Sequence, residues 1–132
     1  MGKSKIVPIR KTDKTQDARQ ILKNGIVNGM CVEKLIQMAD LELCGNVEVM
    51  MNVCGTSNYF NCMEYINASN ENECDIISLL YVNDGIIVAS TTIGIDQIGD
   101  IDGCENADNP DNVLDINIMM IDGTKVTINV IY

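Results

Sequence analysis

Between Leu114 and Val130 apolar and polar residues alternate on both sides of an Asp122-Gly123 pair, and this pattern admits one way of folding back. Leu114, Ile116, Ile118 and Met120 alternate with Asp115, Asn117 and Met119; Val126, Ile128 and Val130 alternate with Lys125, Thr127 and Asn129. A period of two marks a strand with one wet face. A two-residue turn would set Ile118 beside Thr127 and mix the faces. A three-residue loop, Ile121-Asp122-Gly123, instead pairs Met120 with Thr124, Ile118 with Val126, Ile116 with Ile128 and Leu114 with Val130. That register gathers the apolar side chains on one face and puts Gly123 where a left-handed residue is needed. The other register would turn core side chains to water, a loss of several kcal/mol by buried area.

A second hairpin is written upstream. Ile76 to Val82 and Ile86 to Thr92 flank Asn83-Asp84-Gly85, a strong turn signal. Both arms are apolar on both faces, which predicts central, buried strands. Val47, Val49, Met51 and Val53 predict a strand ending at Gly55, with Gly45-Asn46 turning the chain back from a short strand over Leu41 to Leu43. Thr56, Ser57 or Asn58 would then cap a short helix with Phe60, Met63 and Ile66 inward. Residues 67 to 74 have no periodicity and predict a loop.

The first third reads as helical. Ala18, Ile21 and Leu22 share one face of a helix from Gln16 to Lys23, with Asn24-Gly25 as its stop. A second helix spans about Cys31 to Met38, with Val32, Leu35, Ile36 and Ala39 as its buried stripe. Ahead of them Lys5 to Arg10 reads as a short extended segment, since Pro8 biases Val7 away from helix. The expected architecture is therefore α+β: an antiparallel sheet of C-terminal hairpins packed on two or three short N-terminal helices. With 132 residues, the chain is expected to form one domain over 1–132, with basic residues 1–14 able to act as an arm.

Charge is divided end from end. Residues 1–34 hold eight of the nine basic residues and three acids; residues 35–132 hold sixteen acids and Lys125 alone. The net charge of −10 opposes phosphate-backbone binding by most of the surface, so direct nucleic-acid binding is not expected. The basic segment, with Lys3, Lys5, Arg10, Lys11, Lys14 and Arg19, is the local exception. Two short helices around Gly25 and Gly29 suggest a helix-turn-helix. The second offers only Lys34 and Gln37 as donors to phosphate or bases, so core packing explains the same pattern.

There is no histidine, which removes the commonest general base and most zinc sites. Cysteines 31, 44, 54, 62, 74 and 104 show no Cys-x-x-Cys pair, and buried free thiols are expected rather than a disulfide framework. No run of eighteen apolar residues and no signal peptide are present, so no membrane partner and a cytoplasmic location are expected. No metal or other cofactor is called for. Asp100-Ile101-Asp102-Gly103 begins like a calcium loop, but Cys104 and Glu105 then break the pattern.

The remaining signal is Gly94 to Asn112, with Asp96, Asp100, Asp102, Glu105, Asp108 and Asp111 and no base. It predicts a solvated loop or a contact surface. The preferred functional expectation is a non-enzymatic acidic protein that binds, and can inhibit, by engaging a basic protein surface, such as the cleft of a nucleic-acid-handling enzyme. The alternatives are a homo-oligomer binding a small ligand at subunit boundaries, and a small enzyme with a carboxylate or cysteine site.

Overall fold

The computed structural model describes residues 9–68 and 73–131. Two helices, α1 (Ile9–Asn28) and α2 (Val32–Ala39), precede seven strands: β1 (Leu43–Val53), β2 (Thr56–Ile66), β3 (Ile76–Asn83), β4 (Ile86–Gly94), β5 (Ile98–Glu105), β6 (Val113–Met120) and β7 (Lys125–Ile131). The strands form one antiparallel sheet in the order β4-β3-β2-β1-β7-β6-β5, with the helices packed against it. The α+β expectation holds.

Helix α1 buries Ala18, Leu22 and Gly25, one stripe at helical spacing, against β5, β1, β6 and β7. It is longer than the sequence suggests at both ends. Gly25 does not stop it, because the absent Cβ there makes room for the Met30 sulfur, 2.6 Å from where a Cβ would stand. The stop is Gly29, at φ +100°. Its carbonyl accepts a hydrogen bond from Lys34 Nζ at 3.0 Å. At the other end Ile9 and Arg10 are helical, as is the rest of 9–14, so this part of the predicted arm belongs to α1. The remainder of the predicted extended segment lies outside the described residues. Helix α2 puts Leu35, Met38 and Ala39 into the core, so its apolar side is spent on packing.

The C-terminal hairpin takes the three-residue register: Leu114 faces Val130, Ile116 faces Ile128 and Ile118 faces Val126. Met120 N–H donates to the Thr124 carbonyl at 2.8 Å, and Gly123 adopts φ +93°. These apolar residues are all buried.

Two expectations upstream fail. β1 runs without a turn from Leu43 to Val53; its pairing with β2 shifts between Cys44 and Val49, so Gly45-Asn46 lies within a bulge. Residues 56–66 are a strand, not a helix. Phe60 and Met63 are both buried, a spacing of three that imitates a helix. Asn61 supplies the reason: its side chain accepts from Val82 N–H and donates to Val82 C=O, both at 2.9 Å, and stands in for a backbone partner where the β1–β2 register shifts and pairing with β3 begins. Cys44 and Cys62 lie directly opposite across β1 and β2 and are joined by a disulfide. The other four cysteines are free thiols, exposed or half-buried, so the expectation of buried free thiols fails.

The sheet must curl. β4 and β5 are its opposite edges, about 29 Å apart if six strand spacings lay flat. Yet only a 3-10 turn, Ile95–Gln97, joins them, and a link that short spans at most about 14 Å. The ends are pinned: Ile95 N–H donates to the Asp75 carbonyl at 3.0 Å, and Ile121 N–H donates to the Gln97 carbonyl at 2.9 Å. The sheet thus wraps round the α1 side, and corners far apart in strand order meet at residues 94–98.

Candidate functional site

All six acids singled out in the sequence are exposed, and they follow one border of the molecule. The stretch expected to be a loop contains a strand: β5 forms because Ile98 and Ile101 pack on the core while Gly103 lets α1 approach. A Cβ at Gly103 would stand 3.3 Å from Leu22 Cδ1 and 3.5 Å from Ile26 Cγ1. Asp100 and Asp102 lie two apart on this edge strand and so share a face. Asp96 lies in the turn before it, where it accepts from the Cys74 thiol at 3.3 Å and from Gln97 Nε2 at 3.4 Å. Glu105 closes the strand, and Asp108 and Asp111 occupy the loop that follows. Asn106 shapes that loop by accepting from Asp108 N–H and Asn109 N–H, both at 3.0 Å. The extended strand sets the three acids it carries, Asp100, Asp102 and Glu105, along about 17 Å.

This geometry replaces the calcium-loop idea. Asp100 and Asp102 project from a strand instead of encircling a point, and among the described residues no group of His, Cys, Asp and Glu is arranged to hold a metal ion.

The outward face of the sheet beside β5 extends the acidic border with residues the charge pattern did not single out. Cross-strand rows run Asp102–Asn117–Thr127–Met50–Tyr59 and Cys104–Asp115–Asn129–Glu48. Asp115 accepts from Asn129 Nδ2 at 2.6 Å and from Asn106 Nδ2 at 3.1 Å, tying the loop to the face. Tyr59 donates to Glu48 at 3.4 Å and meets Tyr81 edge to face at 5.7 Å. Burial, then the carboxylates of Asp115 and Asp102, push the Cys104 thiol above its ordinary range, so it is held as a thiol. The Cys74 thiol is raised too, chiefly by its bond to Asp96. Neither is an activated nucleophile at neutral pH. Period two in β6 and β7 could have placed Asp115 on this face; nothing in the sequence marked it as a neighbour of Asp102.

One base, Lys125, shares this face and lines a cleft with Asp100 and Asp102; the other basic residues lie elsewhere. Lys14 and Arg19 are on α1, Arg10 and Lys11 belong to its first turns, and Lys3 and Lys5 lie outside the described residues. Lys23 and Lys34 line an open cleft between α1 and α2, about 580 Å³, together with Gln20, Asn24, Asn28 and Gln37.

The opposite edge differs. β4 was expected to be central and buried; it is an edge strand, with Ile86, Ile87 and Val88 67%, 60% and 60% exposed. Continuous apolar composition marks a strand covered on both faces, and here the described residues do not supply that cover.

No family model matches the chain, and neither a curated protein nor a solved structure matches it. No helix among the described residues is long and apolar enough to cross a membrane.

Proposed function

We propose that the protein is a non-enzymatic binding protein whose acidic edge engages a basic surface on another protein. The reading rests on one observation: Asp100 and Asp102 stand exposed on an edge strand, in line with four further exposed acids. The strand itself is fixed from behind by α1 at Gly103. Carboxylates held on a rigid element lose little freedom on binding, and their summed field speeds encounter with a cationic cleft. A cleft built for a nucleic-acid backbone has that character, and filling it would inhibit its owner.

The test is capture from an extract of the source cell, comparing the wild-type protein with Asp100→Asn/Asp102→Asn. The captured partner should be basic. Its association rate with the wild type should fall steeply as salt rises, and the neutralised variant should associate more slowly with a shallower salt dependence. A partner bound equally by both proteins, or with a salt-independent rate, would remove the acidic edge from the account.

A further inference from the structure

We infer that β4 pairs with β4 of a second copy of this chain, joining two seven-stranded sheets across a two-fold axis. Among the described residues its backbone has β3 on one side only, so one row of N–H and C=O groups has no described strand opposite it. Proteins blunt such edges with charge, proline, bulges or a covering element. The segment Ile86–Gly94 contains no charged residue and no proline, and it carries six β-branched residues besides two small ones, Ala89 and Ser90. It does carry one of these devices: pairing with β3 steps from Tyr81–Ala89 to Val82–Ile87, so Val88 is the extra residue of a bulge in β4, and the regular run offered to a partner is 89–94.

A second copy is the occupant we infer because it carries the same uncharged, apolar edge, a part of the surface where its charge does not oppose contact. A second copy brings another −10, so copies repel one another over most of their surface. The β3–β4 hairpin is the exception: from Ile76 to Ile95 only Asp84 is charged, and it lies in the turn. The hairpin is thus where two copies meet with least repulsion, and an antiparallel strand pairing with itself closes with two-fold symmetry. The apolar surface also continues past the edge. Ile87, Val82, Leu80 and Cys62 line a groove of about 230 Å³ beside the disulfide; Glu42 and Glu64 also line it, so the partner's hairpin would cover its β4 end and leave those carboxylates in water.

Sedimentation of the full chain tests this. A dimer of twice 14.5 kDa is expected at micromolar concentration, and added salt should strengthen it by screening repulsion between copies. Val88→Lys, at an exposed position, should give a monomer with unchanged circular dichroism, whose melting temperature no longer rises with protein concentration as the wild type's does. Asp100→Asn should leave the dimer intact. Amide exchange along 86–92 should be slow in the wild type and fast in Val88→Lys. A wild-type monomer at all concentrations overturns the proposal, and so does a dimer that survives Val88→Lys. A monomer with slow exchange along 86–92 would assign the edge to another segment of the same chain, and a mass set by a different bound protein would assign it to a foreign strand; both contradict the inference. The outcome is independent of the acidic edge, since that contact weakens with salt and this one gains.

Discussion

β4 and β5 end the same sheet and are nearly consecutive in the chain, yet they are finished in opposite ways. β5 presents Asp100 and Asp102 and is clasped from behind by Leu22 and Ile26 of α1 at Gly103. β4 presents Ile86, Ile87 and Val88 to water, and what steadies its hairpin is the Asn61 side chain bonded to both backbone groups of Val82. One edge is closed to strand addition by its own charge and supported by the core; the other is open and neutral. A single sheet can therefore carry two contacts with unrelated chemistry, because side chains set how each edge meets water while the backbone pattern is the same.

The largest effect should come from cutting the support of the acidic edge. Leu22 is fully buried under Gly103, and Leu22→Ala should cost about 2–5 kcal/mol in denaturant unfolding. Amides of β5 should lose exchange protection before those of β3. Uniform loss across the sheet would show that α1 does not hold this edge in particular. Asn61→Ala is the counterpart for the other side. It leaves the Val82 N–H and C=O without that partner, at about 1–3 kcal/mol, and should loosen β3 and β4 while β5 and β6 stay protected. The reverse order of protection would break the contrast.

A smaller effect is expected from pH at the corner where the edges converge. Asp75 accepts from the Tyr65 hydroxyl and from Ala68 N–H, the latter at 2.8 Å. The Tyr65 bond, then that from Ala68, hold its carboxyl below the ordinary value of 3.8. A carboxylate with a lowered folded pKa adds stability above its unfolded value and loses it as pH falls through the folded one. Tyr65 is shifted up, mainly by the same bond, so its contribution is complete below its ordinary value of 10.0 and fades as pH rises through the folded value. Asp75→Asn should flatten the acid limb of the melting profile below pH 3.8. An unchanged acid limb would show that the bond does not contribute.

The parts of this arrangement that were legible in sequence are those where one face alternates cleanly. β6 and β7 could be registered residue by residue because Leu114 to Met120 and Val126 to Val130 never break period two. β2 could not, since the break in register with β1 at Asn61 leaves both Phe60 and Met63 buried, a helical interval. β5 read as loop because its inward side is thin: Ile98, Ile101 and a glycine whose value is the space it leaves for α1. The acids were visible as a charged run, but their alignment along one border depends on that strand. Apolar composition in β4 was taken for burial within the chain, whereas composition reports only that a strand favours cover. The disulfide was hidden for a related reason: Cys44 and Cys62 are eighteen residues apart and meet only through the β1–β2 register.

The contrast between the edges is tested most directly by following both contacts in one salt series. Sedimentation velocity of the protein, alone and with its captured basic partner, from about 50 to about 500 mM salt spans screening lengths from longer to shorter than the spacing of the edge acids. The account predicts that the partner dissociates while the homodimer persists or tightens. Loss of both together, or retention of both, would contradict it.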